Sequence, residues 1–94
     1  MEYKIVHNKE ENRIKAVMEG RNIGLIDYQI TASDIMTIYH TQVAPVYEGQ
    51  GIAADLTKNL LKYAQENNIK IRPTCPYAKS YILRHTEYES LVAK

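Results

Sequence analysis

Through its first third the chain alternates polar and apolar positions. In residues 3–7, Tyr3, Ile5 and His7 interleave with Lys4 and Val6; in 13–19, Ile14, Ala16 and Met18 interleave with Arg13, Lys15 and Glu19. In 22–30, Gly24, Ile26, Tyr28 and Ile30 share one face. A period of two belongs to half-buried strands, so three are predicted. Polar stretches separate them: "HNKEENR", where Glu10 and Glu11 read as a solvated turn, and "EGRN", where Gly20 predicts a hairpin. After "TASD", the run "IMTIYHTQV" (35–43) is β-branched and nearly all apolar, as a central strand should be. Pro45 ends it, because proline cannot donate to a ladder.

The period then changes. Ile52, Leu56, Leu60, Tyr63 and Ala64 fall on one stripe, and Lys58, Lys62, Gln65 and Glu66 on the other. That spacing predicts an amphipathic helix over 51–67, stopped by the two asparagines at 67–68. "IKIR" (69–72) reads as a short strand, joined to 35–43 through the helix and therefore parallel to it, with a right-handed crossover. Pro73 stops that strand. "TCPYAKSYILRH" opens a second helix, with Pro76 at its first position and Cys75 as N-cap. The fold class is α+β: an antiparallel four-stranded meander, then helix, parallel strand and helix, in one mixed sheet.

Composition narrows the function classes. The 94 residues suit one domain, 1–94. Twelve Lys and Arg against eleven Asp and Glu leave a formal charge of +1, too little to mark a nucleic-acid or anionic-membrane surface. The start "MEYKIVHN" has neither the basic nor the apolar part of a signal peptide. Nowhere do apolar residues run to the ~18 of a membrane span. One cysteine, Cys75, excludes an internal disulfide, and a cytoplasmic protein is expected. Phe and Trp are absent, so eight tyrosines must supply the aromatic packing, with hydroxyls left at the surface or in a cleft.

The candidate chemistry centres on "YEGQGIAADL" (47–56). Gly49 and Gly51 lie between a central strand and a helix start, where the first backbone N–H groups lack partners and the helix dipole is positive. Two readings stay open on spacing alone. Either the glycines supply positive φ in a turn, or they let backbone approach a phosphate or pyrophosphate. No Gly-Lys-Ser/Thr follows, so this is not a P-loop. Cys75 is either a thiol at a helix N-terminus, where the dipole favours the thiolate, or a small buried hydrophobe. His40, late in the central strand, is placed opposite Tyr39 and Thr41, within approach of Cys75. It is a general base or a packed core histidine. His7 and His85 read as surface residues, and Asp27 as a strand-face charge without chemical role. No His, Cys and carboxylate cluster has metal-ligand spacing.

"EGQGIAADL" resembles the acetyl-CoA signature of the GNAT N-acetyltransferase superfamily, Arg/Gln-x-x-Gly-x-Gly/Ala, with Glu48 at the first position, Gly51 at the fourth and Ala53 at the sixth. With "HTQV" upstream and "PTCPY" downstream, the chain is similar to the small single-domain branch of that family. The resemblance implies a GNAT-like fold and acetyl-CoA as cosubstrate, with no metal. It implies that the pyrophosphate lies on the amides of Gln50, Gly51, Ile52, Ala53 and Ala54, beside Gly49. The pantetheine arm would run between strands 35–43 and 69–72, parted by a bulge near Gln42–Val43, and the amide near Val43 would polarise the acetyl carbonyl. Glu48 stands where the family has Arg or Gln. Cys75 stands at the family's Asn position in the last helix, Ala78 matches, and Ile82 replaces the usual Tyr acid, with Tyr81 one residue away. Larger members have extra N-terminal helices over the acceptor; here the acceptor side is expected to be open.

The expected function is transfer of an acetyl group from acetyl-CoA to an amine acceptor. Cys75 would act as proton donor or acetyl carrier and His40 as base, in a monomer. The alternatives are a CoA-binding or acyl-CoA-sensing module of the same fold without efficient catalysis, and a structural domain with an empty glycine turn.

Overall fold

A computed structural model describes every residue except Met1, Ser33 and Lys94. The elements run β1 (Lys4–Asn8), β2 (Arg13–Met18), β3 (Arg21–Ala32), β4 (Ile35–Val43), a 3-10 turn (Pro45–Tyr47), α1 (Ile52–Glu66), β5 (Lys70–Pro73), α2 (Pro76–Arg84) and a second 3-10 segment (Thr86–Leu91). The sheet order is β1-β2-β3-β4-β5. The first three pairings are antiparallel and β4 pairs with β5 in parallel. This is the expected meander, helix, parallel strand and helix, with boundaries within one or two residues of the pattern. Among the described residues no helix is long and apolar enough to cross a membrane.

One sheet face holds the core. Ile14, Ala16, Ile26, Tyr28, Met36, Ile38 and Ile71 pack with Ile52, Leu56, Leu60, Leu61 and Ala64 of α1 and with Ala78, Tyr81 and Ile82 of α2. Each buried Leu or Ile of that stripe is worth about 1.5–3 kcal/mol relative to leaving it in water. The stripe is wider than its periodicity implied, since Leu61 and Thr57 are also buried; the Thr57 hydroxyl donates to the Ala53 carbonyl at 2.8 Å, which satisfies it inside the helix. Gly24 is the glycine that packing demands. A Cβ there would meet Ile52 Cγ2 at 3.1 Å, the Gln42 carbonyl oxygen at 3.3 Å and Leu56 Cδ1 at 3.3 Å, so α1 could not sit so close to the sheet.

Several expectations are corrected. Ile30 is 45% exposed, near the end of β3. His7 is half-buried: its Nε2 lies 2.6 Å from the Tyr28 hydroxyl and its ring stands edge-on to Tyr63. Burial, with Lys9 as the lesser cause, pushes its pKa down. Tyr28, Tyr81 and Tyr88 do supply aromatic packing, as expected of a chain without Phe or Trp. His85 caps α2, stacked on Tyr81 at 3.9 Å between ring centroids. Asp27 is buried and receives Arg13 on both oxygens, at 2.6 and 3.2 Å.

The bulge lies elsewhere than expected. Asp27 pairs with His40 but Tyr28 pairs with Ile38, so Tyr39 is the extra residue of β4 and Gln42–Val43 stay in regular register with β3. The inserted residue turns Tyr39 and His40 toward the same exposed side, while Thr41 returns to the helix side. Pairing of β4 with β5 stops at the same point: Ile38 opposite Pro73 is the last pair, and the Thr74 and Cys75 amides both donate to the Ile38 carbonyl at 3.0 Å.

Candidate active site: the cleft between parted strands

Beyond Ile38 the two strands separate, and one edge of β4 has no strand beside it. Ala44 donates to the Ile23 carbonyl at 2.9 Å, so its amide points toward β3. Amide direction alternates along a strand, which turns the N–H groups of Val43 and Thr41 the other way, into the gap. The Val43 amide thus faces the gap although the bulge is four residues upstream.

The far end of the gap meets the glycine loop. Gly49 and Gly51 have φ of +81° and +84°, left-handed values that a side chain tolerates poorly. A Cβ at either would touch nothing within 4 Å. The turn therefore needs glycine for its backbone, and the space over that backbone is also free. Both readings of the pair are compatible, the positive φ being what aims the following amides outward. Gly51 is the N-cap of α1, and no side chain caps that helix. The amides of 51–54 are left as donors at the positive end of a 15-residue helix. Gln50 is exposed, and the Ile52 side chain is core, so Ile52 offers only its amide to this surface.

A cleft of about 440 Å³ joins the two regions, lined by Thr41, Gln42, Val43, Glu48, Gly49, Ala53 and Tyr77. Glu48 is exposed and on its wall, which puts a carboxylate at the mouth. Cys75 is the N-cap of α2 as expected, but it is 5% exposed and lies behind Thr41, with 3.4 Å between Sγ and the Thr41 Oγ1. His40 is not near Cys75. It lies on the opposite, exposed side of the sheet, with Nε2 3.1 Å from Gln42 Oε1. The expected approach of His40 to Cys75 is overturned by the Tyr39 bulge, which reverses the side on which His40 emerges. Tyr81 and Ile82 are both buried, and neither lines the cleft.

Sequence reasoning missed Thr41 and Tyr77. Thr41 was legible as an alternate residue of β4 once the bulge is known. Tyr77 follows Pro76 at the start of α2, where a side chain off the buried stripe faces the parted strands. Among the described residues no group of three or more His, Cys, Asp or Glu is placed to hold a metal ion.

Comparison with known proteins bears on this geometry. Protein NATD1 of Mus musculus is 26% identical over 80 residues, covering 84% of this chain and 73% of that protein. The Homo sapiens NATD1 is also 26% identical, with 84% and 71% covered. The solution structure of a GCN5-like protein from Staphylococcus aureus superposes with a TM-score of 0.77 at 27% identity, covering 96% of this chain and 87% of that one. The fold also matches Rv2747 of Mycobacterium tuberculosis, solved in complex with CoA, with a TM-score of 0.68 at 20% identity, over 83% of this chain and 50% of that one. A family model described as GCN5-related N-acetyl-transferase spans residues 13–91, from the second strand through the glycine loop to the last 3-10 segment, and with it the chain belongs to the GCN5-related N-acetyltransferase family.

Proposed function

We propose that the protein transfers an acetyl group from acetyl-CoA to an amine. The observation that carries this reading is the continuity of the cleft. Unpartnered amides of β4 lead without a break to the left-handed glycine loop and the bare N-terminus of α1. An acyl-CoA has the complementary layout, with a pyrophosphate at one end of an extended arm and a thioester at the other. The amides of Gln50, Gly51, Ile52, Ala53 and Ala54 hold the pyrophosphate, with Gly49 keeping the approach open. The arm adds along the free edge of β4, taking hydrogen bonds a fifth strand would otherwise take. The Val43 amide meets the arm beside the loop, and the Thr41 amide, farther along the same edge, polarises the acetyl carbonyl.

The two sides of the gap divide the proton transfers. The amine enters from the exposed side, where His40 sits beside Gln42 of the cleft wall and takes its proton. The amine nitrogen bonds to the carbonyl carbon, the C–S bond breaks, and the CoA thiolate is protonated from the helix side. The Thr41 hydroxyl, on the cleft wall, hands over that proton and takes one in turn from Cys75 behind it, 3.4 Å away. Burial behind Thr41 and distance from His40 favour this role over an acetyl-carrying nucleophile.

Amide spectra and thiol release test the reading. Acetyl-CoA should shift the amides of 41–43 and 49–54, and a panel of primary amines should include one that releases free CoA thiol. Shifts without release for any amine would leave a CoA-binding module. No shifts at millimolar acetyl-CoA would end both.

A further inference from the structure

We propose that the outward face of α2 seats the nucleotide end of CoA, with Tyr77 against the adenine and Arg84 on the 3′-phosphate. The inference rests on the acetyl-CoA reading and adds a subsite to it. With the thioester in the gap and the pyrophosphate on the glycine loop, the adenosine 3′-phosphate must leave through the cleft mouth. A second, shallow cavity of about 610 Å³ opens there, lined by Pro76, Tyr77, Ser80, Leu83 and Arg84. Tyr77 lines both cavities, so the two adjoin at one side chain.

The chemistry of this face matches that end of the molecule. Ala78, Tyr81 and Ile82 already bury the inner stripe of α2, so the outer stripe is not required by the core. Yet it carries Leu83, 71% exposed, beside the Tyr77 ring. A flat apolar base fits such a platform, and an aromatic ring adds stacking. Arg84, the last residue of α2, closes this face, and it forms no ion pair among the described residues. Its last-turn position suits the helix dipole, but that alone does not need the apolar residues next to it. The opposite rim of the mouth, over Pro45–Tyr47, offers Val46 at 76% exposure but carries Glu48, which would repel a phosphate dianion.

Titration calorimetry with a series of truncated ligands tests the subsite. The wild type should bind CoA about tenfold tighter than 3′-dephospho-CoA, the size of one charge-assisted hydrogen bond at an exposed site. Arg84→Gln should weaken CoA alone and erase that preference, and Arg84→Lys should restore part of it. Tyr77→Ala should weaken CoA and 3′-dephospho-CoA alike while leaving 4′-phosphopantetheine unchanged. CoA bound with no preference over the dephospho form, or equal weakening of both by Arg84→Gln, overturns the subsite alone. Failure of all three ligands to bind the wild type overturns the acetyl-CoA reading together with it.

Discussion

Along β4, residues 35–38 are paired with β3 on one edge and β5 on the other, whereas residues 40–43 are paired with β3 only. In the first stretch Met36 and Ile38 are fully buried, and in the second His40 and Gln42 are exposed and Thr41 and Val43 half-buried. One strand thus does two jobs. Its first half is sheet interior, where every edge is satisfied and apolar side chains set the stability. Its second half keeps a row of unsatisfied amides, a feature a stable core avoids and an extended ligand can use. The Tyr39 bulge is the joint between them.

Substitutions in the two halves should separate stability from chemistry. The largest effect is expected from Ile38→Ala, which leaves a cavity at a fully buried site and should lose about 2–5 kcal/mol of unfolding free energy in urea. Gln42→Ala, four residues on and exposed, should stay within about 0.5 kcal/mol. Similar losses for both would erase the distinction. In the functional half, Cys75→Ala should lower kcat by about 100-fold or more, the scale of a lost general acid, with acetyl-CoA affinity nearly unchanged. Full turnover in that variant would return Cys75 to a packing role.

A smaller change is expected at the mouth. Glu48→Gln removes a negative charge from the cleft wall and should tighten acetyl-CoA about two- to fivefold at low salt, the worth of one partly exposed charge near a helix start. Equal affinity would mean that the carboxylate turns to water. The smallest effect belongs to His7, which does not line the cleft. The neutral His7 ring can accept the Tyr28 proton, and burial lowers its pKa in the fold. A folded value below the unfolded one means the unfolded chain binds the proton more readily. The contribution is therefore complete above about pH 6.5 and is lost as pH falls below that toward the lowered folded value. Melting temperature between pH 7.5 and 5 should fall more for the wild type than for His7→Gln; parallel curves would remove His7 from the acid response.

The order of elements was legible because each has one dominant period: alternation in β2 and β3, and the Ile52-to-Ala64 stripe in α1. Pro45, Pro73 and Pro76 marked boundaries by plain backbone chemistry. The glycine loop was legible too, since few other places need two left-handed residues before a helix. The Tyr39 bulge was not. A bulge changes the face of every later residue, yet Tyr39 and His40 are acceptable in either phase of a strand. The misplacement of His40 followed from that single residue. His7 was missed for a related reason: its partners Tyr28 and Tyr63 come from β3 and α1, and only assembly brings them together.

The parallel ladder that shapes the cleft also has a kinetic consequence. Hairpins join β1 to β2 and β2 to β3 across a few residues, while Ile35 must find Lys70 from thirty-five positions away, across α1. Closing that longer loop costs more chain entropy, and the entropy is spent before the four-pair ladder rewards it. The wall of the cleft built by β5 and α2 is thus expected to join the sheet after the two hairpins. A ligand spanning β4 and α1 across that wall ties its own binding energy to the pairing of longest reach in the sheet. Occupancy should then slow amide hydrogen exchange most at 70–75, well away from the loop it grips.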